Sequence, residues 1–374
     1  MQGVLMRILY GVVGEGMGHA TRSKVVCEHL VNSGHEVKIV VSGRAHAFLA
    51  RTFHDVVEIK GLTIRYVDNR MDRDGTLARN VLAAPAMLTA NVGAYFERVA
   101  GFHPDVVVSD FDSFAYLFAK RHRVPILSLD NQQIISRCKL AKFAKQGVKV
   151  DYQMTKAFVR AKLPACDHYL VTTFFFPPVR KRYERDTTLV PPILRPAIVD
   201  AKSRARPGEH VLVYQTSGSD ASLLDELNAV REERFIVYGL QKSLRRGNCT
   251  LKEFSEDGFV EDLVTARAVI ANGGLSLLGE AVYLGKPVLS VPVGNQYEQT
   301  LNARYLEQLG YGLASERIDA QLVGLFLREA PKYASRVAKH RQDGNRESFG
   351  QIDRVLQRFA RRTKRAAKGK TATA

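Results

Sequence analysis

Apolar residues recur along this chain in short runs separated by amphipathic stretches. RILYGVV, HEVKIVVSG, VVEIKGLTIRYV, DVVVSD and VPILSLD are rich in β-branched residues. Runs of this kind, bounded by Gly, Pro, Asn, Asp or Ser, predict strands. Between them lie TRSKVVCEHLVNSG and SFAYLFAKRHR, with apolar positions near i, i+3 and i+4, the spacing of a helix face. This rhythm predicts a parallel sheet with helices on both faces. It pauses in a proline-rich, basic stretch, FFFPPVRKRYERDTTLVPPILRPAIVDAKSRARPGEH, and restarts with HVLVYQTSGS, RFIVYG, CTLKEFS, RAVIANGG and KPVLSVPVG. The expected fold is α/β, with two doubly wound Rossmann-like parallel-sheet domains facing across a cleft. The boundaries read as 1–190 for the first domain, 191–206 for a linker and 207–340 for the second domain. Closing helices at 341–363 should pack back toward the first domain, followed by a basic, disordered tail at 364–374. Ligands of such sheets sit beyond the carboxyl ends of the strands. The strand-to-helix turns are therefore where the chemistry is expected.

The first turn is YGVVGEGMGHATRS, residues 10–23. A dinucleotide loop reads G-x-G-x-x-G and is followed by an acid at the end of the second strand. Counted from Gly14, this turn gives G-E-G-M-G-H, so His19 takes the third glycine position. The second strand ends in Ser-Gly-Arg with no acid. Both positions speak against a nicotinamide or flavin site. Gly14, Gly16 and Gly18 still allow a sharp turn and a close approach, and they read as an acceptor loop. His19 opens the next helix at the cleft edge. An imidazole changes protonation near neutral pH, which suits a general base. Asp110, in DVVVSDFDS, closes another strand at the same edge and is the candidate partner. Helix N-capping, shared with Ser109 and Asp112, is its competing role.

The second constellation is ANGGLSLLGEAVYLGKPVLSVPVGNQYEQTLNA, residues 271–303. A strand ends at Asn272-Gly273-Gly274 and a helix opens at Leu275-Ser276. The free N–H groups and positive end of that helix suit a diphosphate. Glu280 lies one turn past Ser276 on the same face, where a carboxylate can accept both hydroxyls of a ribose diol. The following strand ends in GNQYEQ, polar groups suited to sugar hydroxyls.

In this order the motifs resemble GT-B glycosyltransferases, the UDP-sugar-dependent enzymes of family 1 and, more closely, the MurG-type enzymes of family 28. The match to their donor motif runs from Gly273 to Pro287, with Ser276, Glu280-Ala281 and Gly285-Lys286-Pro287. The resemblance implies that His19 is the base and Asp110 its partner, and that Glu298 and Gln299 hold the donor sugar. It implies that Phe259 and Val260, in GFVEDL, meet the uracil through their backbone. Ser217 and Gly218, in the turn 216–220, match a second phosphate loop. Glu298 stands where many relatives carry Asp. Retaining relatives carry paired glutamates around this helix, whereas Asn272 and Val288 flank Glu280 at eight residues on either side. The implied reaction is an inverting, metal-independent transfer of a hexosyl or N-acetylhexosaminyl group from a UDP-sugar to an acceptor hydroxyl. The UDP-sugar is a substrate, and no cofactor or metal ligand set is implied. A UDP-sugar 2-epimerase on the same fold, or a non-catalytic protein that binds a nucleotide-sugar or an anionic surface, remains open.

The net charge of +17 narrows the partners. RVLQRFARRTKRAAKGKTATA, from Arg354 to the end, carries eight Lys or Arg and no acid. RCKLAKFAKQGVKVDYQMTKAFVRAK, residues 137–162, is also basic. An anionic membrane surface fits these segments. Nucleic acid does not, because no recognition signature or aromatic interleaving accompanies them. NRMDRDGTLARNVLAAPAMLTANVGAYF, residues 69–100, reads as buried helix or as an apolar groove for a lipid-linked saccharide. No run reaches membrane-spanning length, and the four cysteines form no C-x-x-C. The expected place is the cytoplasm, peripheral on the inner face of the cytoplasmic membrane.

Overall fold

The valine- and isoleucine-rich runs form two seven-stranded sheets in the computed structural model. The structure describes residues 5–371 except Glu15, Leu62, Ile64, Asp68, Asn69 and 216–219. Ser217 and Gly218, read as a phosphate loop, lie outside the described residues. The strands are β1 (Arg7–Val12), β2 (Glu36–Ser42), β3 (Val56–Ile59), β4 (Arg65–Val67), β5 (Arg70–Asp72), β6 (Val106–Asp110), β7 (Ile126–Asp130), β8 (His168–Thr172) and β9 (Thr187–Val190), then β10 (His210–Tyr214), β11 (Arg234–Tyr238), β12 (Leu244–Arg246), β13 (Cys249–Leu251), β14 (Ala268–Ala271), β15 (Val288–Ser290) and β16 (Gly312–Ala314).

The first sheet has the order β3-β2-β1-β6-β7-β8-β9 and is parallel throughout. The second has the order β12-β13-β11-β10-β14-β15-β16, parallel except for the β12–β13 pair. Burial on both faces explains the uninterrupted apolar runs. On β1, Leu9 packs to one face, with Val40 and Val107. Ile8 and Tyr10 pack to the other, with Ile39, Val106 and Val108. This is the period-two alternation of a strand. In each sheet the order reverses beside its first strand, next to β1 and next to β10. The turns after β1, β6, β10 and β14 therefore gather where a crevice opens.

Some local expectations are corrected. VVEIKGLTIRYV is not one strand: β3 joins the sheet, while β4 pairs with β5 in a separate antiparallel hairpin. Gly61 sits at the break. The stretch read as wholly connecting contains β9, and β8 lies just before it. The prolines around them hid the last two strands of the sheet, of which β9 is the edge, where a missing ladder donor is tolerated.

The helix Arg346–Thr371 returns to the first sheet. Ile352, Val355, Leu356 and Phe359 lie at helical spacing and are buried with Ile8, Tyr10 and Leu30. His29 Nε2 meets Asp353 Oδ1 at 2.8 Å beside them. Each of these apolar side chains contributes roughly 1.5–3 kcal/mol on burial. The helix does not stop at 363, and the tail read as disordered is helical through Thr371. Ala, Lys and Arg are strong helix formers, and basic side chains suit a helix C-terminus. Residues 372–374 lie outside the described residues.

Candidate active site

The helix Met17–Asn32 starts directly off β1, with Gly16 at its N-cap. Gly16 has φ 89°, a left-handed conformation that glycine adopts without strain. Gly14 is required for a different reason: a Cβ there would lie 1.9 Å from the Ser42 carbonyl oxygen at the end of β2. This turn points His19 at Asp110, the last residue of β6.

His19 Nδ1 and Asp110 Oδ1 are 2.7 Å apart. Asp110 is fully buried. Its Oδ2 accepts from Arg22 Nε at 3.0 Å and from Ser23 Oγ at 2.9 Å, and Arg22 Nη2 donates to Oδ1. Arg22 is itself buried. Burial pushes the Asp110 carboxyl up, but Arg22 and then His19 outweigh it and hold the group down at about 2. The carboxylate can only accept, so Nδ1 carries the imidazole proton and Nε2 presents the lone pair. Arg22 Nη2 also lies 3.0 Å from Nδ1. Two donors cannot bond one another, so Asp110 Oδ1 between them takes both protons. Of the alternative capping residues Asp112 is the cap: its side chain accepts from Ala115 N–H at 2.7 Å at the head of the helix Ser113–His122, while the Ser109 hydroxyl accepts from the Asp112 N–H at 2.9 Å.

Nε2 of His19 meets Gln132, which in turn reaches the second domain. Gln132, just past β7, places its Nε2 3.1 Å from that lone pair and 3.0 Å from Glu298 Oε2. Asn131 Nδ2 donates to Glu298 Oε1 at 2.6 Å. Glu298 lies in the first turn of the helix Tyr297–Gln308. Asp110, His19, Gln132 and Glu298 thus form one contact chain across the cleft. Beside it the two uncapped helix starts converge: Ser276 Oγ donates to the Gly18 carbonyl at 3.3 Å. A Cβ at Gly18 would lie 2.9 Å from that hydroxyl. Gly274 N-caps the helix Leu275–Tyr283 with no side-chain hydrogen bond, so N–H groups of the first turn are left for a ligand. Leu275 itself is buried in the core.

Two donor-side expectations change. Glu280 does not stand free at the cleft. It is buried, and Arg195, from the linker, holds both its oxygens at 2.7 and 2.6 Å. Gln299 does not present its side chain to a sugar. Its Oε1 accepts from the N–H groups of Gly273 at 3.1 Å and Val293 at 3.0 Å, and its Nε2 donates to Gln296. It fastens the loop after β14 to the loop after β15, and Gly273 fits there because a Cβ would lie 2.4 Å from the Gln299 carbonyl oxygen. Phe259 and Val260 have buried side chains, and Phe259 N–H donates to the Ser255 carbonyl as the helix Glu256–Thr265 begins. Phe254, just before that helix, is the exposed aromatic instead, 5.5 Å from Phe259.

Lys286 explains the lysine of the Gly285-Lys286-Pro287 run. Its buried ammonium donates to the carbonyls of Arg206, Val264 and Ala266 at 2.8, 2.6 and 2.8 Å, tying the linker to the end of that helix. Burial lowers it to about 8.

Asn131, Gln132, Arg22 and Arg195 escaped sequence reasoning. Only the dipeptide Asn131-Gln132 closing VPILSLD offered a signal, as polar residues at a strand's carboxyl end.

Comparison with known proteins bears on the fold and the family. A relative from Methanosarcina acetivorans, described as an uncharacterized glycosyltransferase, is 26% identical over 342 residues, spanning 82% of this chain and 85% of its own. One from Methanosarcina mazei with the same description is 25% identical over 344 residues, again spanning 82% and 85%. Among solved structures, the calicheamicin glycosyltransferase CalG4 superposes with a TM-score of 0.65 at 16% identity, over 95% of this chain and 98% of its own. Phytolacca americana UGT2, complexed with UDP-2fluoro-glucose and pterostilbene, gives 0.64 at 14% identity, over 95% and 99%. These structures share the fold, which is therefore GT-B. A glycosyl transferase family 1 model matches residues 6–331, and on that match this chain is a glycosyltransferase belonging to that family.

Proposed function

We propose that the protein is an inverting, metal-independent glycosyltransferase that moves a hexosyl or N-acetylhexosaminyl group from a UDP-sugar to an acceptor hydroxyl. The observation that carries this reading is the contact chain from Asp110 through His19 and Gln132 to Glu298, beside two uncapped helix starts. His19 Nε2 takes the acceptor's hydroxyl proton. The oxygen attacks the anomeric carbon opposite the diphosphate, one C–O bond forms as the other breaks, and UDP leaves with the electron pair. Asp110 offsets the charge left on His19. The N–H groups at Gly274–Leu277 receive the charge growing on the diphosphate. Arg195 occupies about two of the four lone-pair sites of Glu280. Two remain for a ribose diol, so Arg195 aims the carboxylate rather than replacing the ribose. Phe254 offers a face to the base. The solved complex of Phytolacca americana UGT2 with UDP-2fluoro-glucose, on the same fold, supports the choice of a UDP-sugar donor.

The acceptor reading is a lipid-linked or cell-envelope saccharide, met at an anionic membrane surface. Two helices of the first domain support it. Arg73–Ala94 exposes Val81, Leu82, Leu88 and Val92, with Phe96 just beyond, and Lys149–Lys162 exposes Val150, Met154 and Phe158. Exposed Lys142, Lys149 and Arg160 flank the second stripe. No helix among the described residues is long and apolar enough to cross a membrane.

The test is UDP release from a panel of UDP-sugars, with soluble and lipid-linked acceptors, with and without EDTA, and with the product's anomeric configuration read by NMR. His19→Ala should lower kcat by about 10² or more, the scale of a general base. Unchanged turnover would remove the base assignment. Flotation with anionic vesicles tests the surface, and salt-insensitive or absent binding would remove it.

A further inference from the structure

Among the described residues, Gln132 is the side chain that hydrogen-bonds both the proposed base and the donor domain. Its amide nitrogen lies 3.1 Å from His19 Nε2 and 3.0 Å from Glu298 Oε2. The orientation of the amide is settled by Glu298, which can only accept, so the NH2 group faces both partners. One N–H then reaches Glu298 and the other caps the lone pair that the base needs. The other end of the amide is unsatisfied: Oε1 is buried with no hydrogen-bond partner, in a residue only 8% exposed. A buried carbonyl oxygen left unpaired is costly, and such groups mark places where a partner arrives. Asn131 separately anchors Glu298 at 2.6 Å, so the domains stay joined here without Gln132.

We propose that Gln132 is a stand-in for sugar hydroxyls, and that it sets the preference of this site for a saccharide over water. This rests on His19 being the base. Without an acceptor, the Gln132 N–H covers His19 Nε2, and a stray water finds no free lone pair to deprotonate it. A sugar hydroxyl entering the site gives Oε1 its missing donor and draws the amide away from Nε2. The lone pair is then free for the neighbouring acceptor hydroxyl. Each water that enters must be ordered separately and brings no second group with it. A saccharide brings several hydroxyls and can pay for the exchange at both ends of the amide.

The experiment uses Gln132→Met, which keeps the length of the side chain and removes both polar atoms. Diethyl pyrocarbonate acylates an unprotonated imidazole nitrogen with a free lone pair, and peptide mass spectrometry reads each site. With the exposed His54 and His103 as internal standards, acylation of His19 in the ligand-free protein should rise about fivefold, the value of one hydrogen bond. With UDP-glucose and UDP-N-acetylglucosamine as probes, acceptor-independent hydrolysis should rise relative to transfer by a similar factor. An unchanged acylation rate at His19 overturns the proposal, and so does an unchanged ratio of hydrolysis to transfer. Gln132→Asn, one methylene shorter, lifts the amide off both partners while staying polar. It should behave the same way, which covers a Met variant that fails to fold. His19→Ala separates the two ideas. If it abolishes transfer while the Gln132 variants change neither readout, only the stand-in role fails. If it leaves transfer intact, the base reading fails first.

Discussion

Asp110→Asn removes one charge and almost no volume from the centre of the site. The carboxylate takes hydrogen bonds from His19 Nδ1, Arg22 and Ser23 with no exposure to solvent. An amide has one accepting end, so its NH2 group must face one of these donors. Arg22, 5% exposed, would lose its counter-charge. Leaving a buried charge unpaired costs about 3–5 kcal/mol. A second route gives a similar figure. Despite the cost of burial, Arg22 and His19 hold the Asp110 carboxyl at about 2 against an ordinary 3.8. A drop of that size is worth about 2–3 kcal/mol of stability at neutral pH. The folded value lies below the unfolded one, so this stability is present above about pH 4 and is lost as pH falls from there toward 2. The chain has no tryptophan, so urea unfolding is best followed by circular dichroism. Near neutral pH the variant should lose about 2–5 kcal/mol, with the gap narrowing toward pH 3. Transfer should fall by about 10² or more, because the amide no longer fixes the imidazole tautomer. Adding Arg22→Met should restore part of the stability and none of the activity. A variant within about 1 kcal/mol of the parent, with a gap that does not change with pH, would refute the reasoning.

Burial raises Asp112 to about 6 although it caps a helix. Its folded value lies above the unfolded one, so the stability it contributes below about pH 4 is lost as pH rises through 6. Asparagine caps as well without the charge. Asp112→Asn should therefore gain about 2–3 kcal/mol on the parent between pH 4 and 7 in urea titrations, and a pH-independent difference would count against it. Arg195→Met should cost about 3–5 kcal/mol by stranding Glu280, and calorimetry should show weaker UDP binding. Combined with Glu280→Gln the stability loss should be less than additive, and strict additivity would show that the pair is uncoupled. Lys286→Met orphans three carbonyls and should cost about 2–4 kcal/mol in urea unfolding followed by circular dichroism, and a loss below about 1 kcal/mol would remove its role as a tie.

His19 and Asp110 could be read from the chain because each sits where a β-branched run meets a turn, and the carboxyl edge of a parallel sheet gathers such turns. Glu298 could be read in the same way. Their partners could not. Arg22 and Asp110 are 88 residues apart, Gln132 and Glu298 are 166 apart, and Arg195 and Glu280 are 85 apart. No local pattern encodes such meetings. Gln299 shows a subtler limit. A polar side chain at a strand's end serves a ligand or the backbone equally well, and here it takes the N–H groups of Gly273 and Val293. Phe259 and Val260 lie on the apolar face of an amphipathic helix, and that face goes to the core. β8 and β9 were hidden by the prolines around them, whereas β1, β2, β6, β7, β10, β11, β14 and β15 were visible as uninterrupted apolar runs.

The helix Arg346–Thr371 closes the core of the first sheet with residues that a ribosome adds after every strand of both sheets. While the chain is being made, Ile8, Tyr10 and Leu30 wait without their final cover until Ile352, Val355, Leu356 and Phe359 emerge. The second sheet, whose strands end at Ala314, has all of its strands by then. The first lobe to be synthesised is therefore the last to be finished. A stop codon near residue 345 would leave the second sheet intact and expose the apolar floor beneath β1, so the damage would appear at the end of the molecule farthest in sequence from the cut.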